Sequence, residues 1–250
     1  MTSILITSYS PEAISSFSTT MLRSMAASGF SSLLETQVKA LTATEMAYLT
    51  TAQAEALTVN QICHLTGLQL SALQSPQISK FSSTEIASLS QTQLQGLTSS
   101  DISELATTQI SALTATQLSL LTTTQVDGLS QRQVSALSTT QVGILSRTQL
   151  ASFTATQFSS LPYTAMQALS TTQTAALPAT LMGGMTSLQL RALSPEQIAS
   201  LSATQIAAIP CTALKGMTAT QCAVLTATQL AAFSTSQVPY LSVEATAALD

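Results

Sequence analysis

Leu113-Thr-Ala-Thr-Gln117-Leu118-Ser-Leu120 runs directly into Leu121-Thr-Thr-Thr-Gln125-Val126-Asp-Gly128. Both octads follow one formula, Leu-[Ser/Thr]-x-Thr-Gln-apolar-x-small, and so does Leu201-Ser-Ala-Thr-Gln205-Ile206-Ala-Ala208. Stepping by eight from Met1 meets a large apolar residue at all thirty-two stops to Leu249, with no insertion or deletion. Among the thirty-one complete octads, position two is Ser or Thr in twenty-four. Position five is Gln in twenty, and Glu45, Glu85 and Asp101 take the same place. A period this strict is the mark of a repeat architecture.

The formula is a helix start. A Ser or Thr followed three residues later by Gln or Glu makes a capping box. The hydroxyl accepts from the backbone N–H of the third helical residue, and the Gln reaches back to the N–H of the cap. The pairs Thr114/Gln117, Thr122/Gln125, Ser194/Gln197 and Ser202/Gln205 are the clearest cases. Apolar residues before the cap and at the fourth helical position complete a hydrophobic staple. Leu113 and Leu118, Leu121 and Val126, Leu193 and Ile198, and Leu201 and Ile206 hold those places and form the expected core spine. Three octads carry proline at position two (Pro162, Pro178, Pro210), and their fifth positions are Ala165, Leu181 and Ala213. Proline has no N–H for a Gln to reach. Donor and acceptor therefore disappear together.

A single long helix is disfavoured, because eight residues advance about 800° and the apolar stripe would drift by about 80° per repeat. Burial of two side chains and one cap falls short of the entropy of ordering eight residues, so one octad cannot stand alone. Stability must come from stacked neighbours, which predicts an all-α solenoid of short capped helices. Two octads per layer would give a rod on the order of 150 Å, and more octads per turn a shorter, wider coil. The alternative is a β-solenoid, in which Thr-x-Thr pairs such as Thr114/Thr116 and Thr122/Thr124 stack as a flat threonine array. Against it, strand corners want Gly, Asn or Asp, and the chain has 8 Gly and one Asn.

Composition narrows the function. Charged residues make up 7% of the 250 residues, against about 25% in ordinary chains. Seven basic residues spread thinly exclude a phosphate-binding patch, hence no nucleic-acid partner is expected. A 45% hydrophobic, nearly uncharged chain is not a disordered one. The apolar residues are too dispersed for a transmembrane segment, and the N-terminus lacks the basic, apolar and cleavage regions of a signal peptide. Residues 1–32 depart from the formula and are expected to be a divergent cap or interface, with 33–250 as one continuous regular solenoid. Leu249-Asp250 begins a further octad in register, which suggests head-to-tail assembly.

No catalytic, cofactor-binding or metal-ligating constellation emerges, and no small-molecule substrate or cofactor is expected. His64 sits beside Cys63, but adjacent helix residues point apart. Cys222 holds a core position, where cysteine acts as a small apolar residue, and Cys211 shows no metal spacing. Glu45, Glu85 and Asp101 occupy the capping slot. Glu12, Glu196 and Glu244 share position four, near the positive helix N-terminus, and Arg23, Lys39, Arg191 and Lys215 share position seven, near the negative end. Gly183-Gly184 reads as a bend, and Pro239-Tyr240 as a local break.

Copies such as Leu137-Ser-Thr-Thr-Gln141-Val142-Gly-Ile144 resemble the Leu-Thr-Thr-x-Gln-apolar repeats of large bacterial adhesin-like exoproteins, from about Leu33 onward. The resemblance implies a bacterial, extracellular or surface-located structural protein exported without an N-terminal signal; a cytoplasmic location is the alternative. The expected function is non-enzymatic: a self-assembling subunit of a filament or a surface spacer, with itself as partner. The alternatives are a solenoid module that binds another protein and an ice-binding threonine surface.

Overall fold

The computed structural model describes residues 6–247, apart from the side chain of Glu244; Leu249-Asp250, on which the head-to-tail expectation rested, lies outside them. The fold is an all-α solenoid. Twenty-nine short α-helices and two 3-10 turns follow one another among the described residues, and no strand occurs among them. The β-solenoid alternative is therefore wrong, and the flat threonine array that suggested ice binding does not form. Its Thr-x-Thr pairs sit at helix starts, as at Ala115–Leu120 and Thr123–Asp127.

Most octads make one α-helix of four to six residues, commonly through the capping chemistry, while Ile6–Ser8 and Val238–Tyr240 form three-residue 3-10 turns. Leu121 ends one helix with φ −62° and ψ 138°, and Thr122 opens the next with φ −68° and ψ 158°. Two extended residues thus make the whole joint. No residue with positive φ occurs among those described. Helices that end in extended backbone need no left-handed glycine, which accounts for the scarcity of Gly.

The described residues fall into two compact units, Met1–Gly128 and Leu129–Asp250. Within each unit a helix stacks on the helix three octads further on: Ala43–Tyr48 on Gly67–Ala72, and Ser83–Ser88 on Thr107–Ala112, in the first; Tyr163–Met166 on Ser187–Ala192 in the second. The two-octad layer is not the one adopted. A turn takes about three octads, as the stacking of each helix on the third one along shows. Positions one and six face inward. Leu113, Leu118, Leu121, Val126, Leu193, Ile198, Leu201 and Ile206 are all buried, none more than 4% exposed. The irregular octads near the N-terminus form the same elements, Pro11–Ile14, Thr19–Ser24 and Ala27–Phe30, with Ile14, Leu22 and Phe30 fully buried at position six.

Glycine at position eight has a steric cause at some octads. A Cβ on Gly216 would stand 2.0 Å from the Ser187 carbonyl oxygen, and one on Gly184 2.2 Å from that of Ala155. Gly184 therefore marks a close approach to the backbone of Ala155.

Candidate functional site

The position-five side chain organises the repeat. Thr122 N–H donates to Gln125 Oε1 at 2.9 Å, and Gln125 N–H donates to Thr122 Oγ1 at 3.2 Å. The same two bonds measure 2.9 and 3.2 Å at Thr114/Gln117, and 2.7 and 3.2 Å at both Ser194/Gln197 and Ser202/Gln205. Leu34, Gln74 and Ala106 lack a capping hydroxyl bond, yet their N–H groups still donate to Gln37, Gln77 and Gln109.

The cap uses half of the amide. The other half reaches the turn before. Gln125 Nε2 donates to the carbonyls of Leu94 at 2.6 Å and Leu97 at 2.7 Å, 31 and 28 residues back. Gln197 Nε2 bonds Met166 and Leu169, and Gln205 Nε2 bonds Thr174 and Leu177, at the same two spacings. Those carbonyls flank the joint between the fourth and third octads back. One buried amide thus caps its own helix and clasps an earlier joint. Amides such as Gln93, Gln125, Gln197 and Gln205 meet backbone carbonyls rather than stacking on one another.

Sequence reasoning assigned these glutamines the cap alone. The missed signal is the preference for amide over acid. A carboxylate would cap at least as well beside the positive helix N-terminus, yet Gln outnumbers Glu and Asp twenty to three. The exceptions show the cost. Glu45 Oε2 accepts from Thr42 N–H at 2.7 Å, while its buried Oε1 has no hydrogen-bond partner. Asp101 caps Thr98 and finds another donor, the Ser75 hydroxyl, at 2.7 Å. In the proline octads the slot is filled by buried Ala165, Leu181 and Ala213, and no side-chain cap bond forms.

The remaining candidates are dispersed. His64 Nδ1 lies 2.7 Å from the Asn60 carbonyl and Nε2 lies 3.3 Å from Glu35 Oε1. Neither nitrogen is given to Cys63, whose Sγ faces the Ser88 carbonyl at 3.8 Å. The Lys39 ammonium bonded to Glu35 holds that carboxyl below its usual range. Hydrogen bonds from Glu12's own backbone N–H and the Ser10 hydroxyl lower Glu12, and the Ser194 hydroxyl and its own N–H lower Glu196. Burial pushes the Cys222 thiol up. Cys211 Sγ faces the Ser236 carbonyl at 3.5 Å. Val238–Tyr240, at the expected break, is a 3-10 turn. No group of three potential metal ligands, and no helix long and apolar enough to cross a membrane, occurs among the described residues.

The chain matches no family model and no curated protein sequence.

Proposed function

We propose that this chain is a non-enzymatic structural repeat protein whose copies self-assemble into an extracellular bacterial filament or surface spacer. The observation that supports it is the use of the polar side chains. The amide in most octads is committed at both ends to backbone, so the recurring chemistry of the sequence builds a stack. The outward positions are mainly Ala, Ser and Thr, and eighteen charged residues are spread over 250. A surface with so little charge offers weak repulsion between copies. The resemblance to exoprotein repeats is the ground for an exterior location.

Sedimentation velocity across a wide concentration range tests the assembly. Mass that rises with concentration supports it, and a monomer at every concentration refutes it. Fractionating the native cells tests the location, which a wholly cytosolic chain would refute.

A further inference from the structure

We propose that copies pair through two complementary ridges, a cationic one on residues 129–250 of one copy against an acidic one on residues 1–128 of another. The proposal deepens the self-assembly reading and rests on it.

The repeat supplies a neutral background against which departures stand out. Within Leu129–Asp250, the helices Tyr163–Met166, Ser187–Ala192 and Cys211–Leu214 and the turn Val238–Tyr240 stack in succession. This column carries Arg191 and Lys215, both exposed at position seven. Neither makes an ion pair among the described residues. Lys215 Nζ lies 5.6 Å from the centre of the Tyr240 ring. Arg191 borders an open pocket of about 330 Å³ with Tyr163, Gln167, Leu188 and Ala192. Tyr163 is 53% exposed and Leu188 58%. The ridge therefore offers fixed cations beside apolar surface, the composition of a contact face.

Within Met1–Gly128, the helices Thr51–Glu55, Ser75–Ile78, Ser99–Glu104 and Thr123–Asp127 stack in the same way. They carry Glu55, Glu104 and Asp127, all exposed, with Lys80 as the one cation at the equivalent places. Eight of the eleven acidic residues lie in this unit, and four of the seven basic residues lie in the other.

The spacing matches as well as the sign. Arg191 and Lys215 are separated by one stacked layer, and so are Glu104 and Asp127. All four occupy position seven or eight of their octads. One repeat builds both ridges, so the layer spacing is common to them. A cationic ridge laid along an acidic one meets it charge for charge. Each exposed pair is weak alone, and the contact depends on several acting together with the apolar flank.

The test uses the full chain and two charge-reversal variants, Arg191→Glu/Lys215→Glu and Glu104→Lys/Asp127→Lys, with circular dichroism to confirm folding. Sedimentation velocity at low and high salt is the readout. Each variant alone is expected to lose about tenfold or more in self-association. An equimolar mixture of the two is expected to recover it, and high salt to weaken both wild type and mixture. Variants that each associate as the wild type does would overturn the ridges while leaving self-assembly standing. Loss in both without recovery in the mixture would also overturn the pairing and point to a different partner. A wild-type chain that stays monomeric would remove self-assembly itself. If reversal prevents folding, Arg191→Gln/Lys215→Gln replaces it, and unchanged association of that variant counts against the proposal.

Discussion

Replacing Gln125 by Glu separates the two jobs of the position-five side chain. The shape and the Oε1 acceptor remain, so the 2.9 Å cap bond from Thr122 is kept. What is lost is the Nε2 donor, with its bonds of 2.6 and 2.7 Å to the Leu94 and Leu97 carbonyls. Each such bond contributes about 0.5–1.5 kcal/mol net. An oxygen then faces two carbonyl oxygens at a site 3% exposed, and an unsatisfied buried acceptor costs about 1–3 kcal/mol more. The expected loss is about 2–6 kcal/mol. Thr122→Ala, which removes only the hydroxyl half of the cap, should cost about 1 kcal/mol. Urea unfolding followed by helical circular dichroism measures both. A solenoid can open in parts, so backbone amide exchange around residues 94–97 provides a second readout, where protection should fall in Gln125→Glu and hold in Thr122→Ala. If Gln125→Glu proves no less stable than Thr122→Ala, the clasp is not a structural determinant and the cap alone suffices.

The same logic runs in reverse at Glu45, whose buried Oε1 lacks a partner. Glu45→Gln should supply a donor toward the Phe17 carbonyl, 28 residues back, and raise stability by about 1–3 kcal/mol in the same assay; a loss would contradict it. Gly216→Ala places a Cβ 2.0 Å from a backbone oxygen and should destabilise by about 1–3 kcal/mol. Gly183→Ala, 3.4 Å from the nearest atom outside its chain neighbours, should be neutral or mildly stabilising, and equal effects at the two sites would refute the close-approach account. Cys222 is buried and its thiol is raised by desolvation, whereas Cys63 is exposed. Because the thiolate is the reactive form, a thiol reagent should label Cys63 in the folded chain and Cys222 only on unfolding; labelling at similar rates would contradict the burial.

What was legible in the sequence was local. A capping box spans four residues, so Thr122 and Gln125 announce a helix start without any knowledge of the rest of the chain. The staple residues Leu121 and Val126 announce the inward face in the same way. The number of octads per turn was not legible, because near-identical octads carry no label for which one lies above which. Leu94 and Leu97 look like every other position six and position one, yet they are the carbonyls that Gln125 reaches. The near exclusion of acids from position five was the available trace of that long-range bond. The ridges escaped notice for a related reason. Arg191 and Lys215 are 24 residues apart, and only the three-octad stacking makes them neighbours.

The clasp is tested most directly by the side-chain amides themselves, in solution NMR of the folded protein. Gln93, Gln125 and Gln197 donate both ways and are buried, whereas Gln91, Gln95, Gln131 and Gln167 are exposed at the surface of the same molecule. The NH2 protons of the first set should exchange slowly and show through-hydrogen-bond coupling to backbone carbonyls 28 and 31 residues back. Those of the second set should exchange freely. Equal, rapid exchange in both sets would mean that the turns are held together by something other than the glutamines.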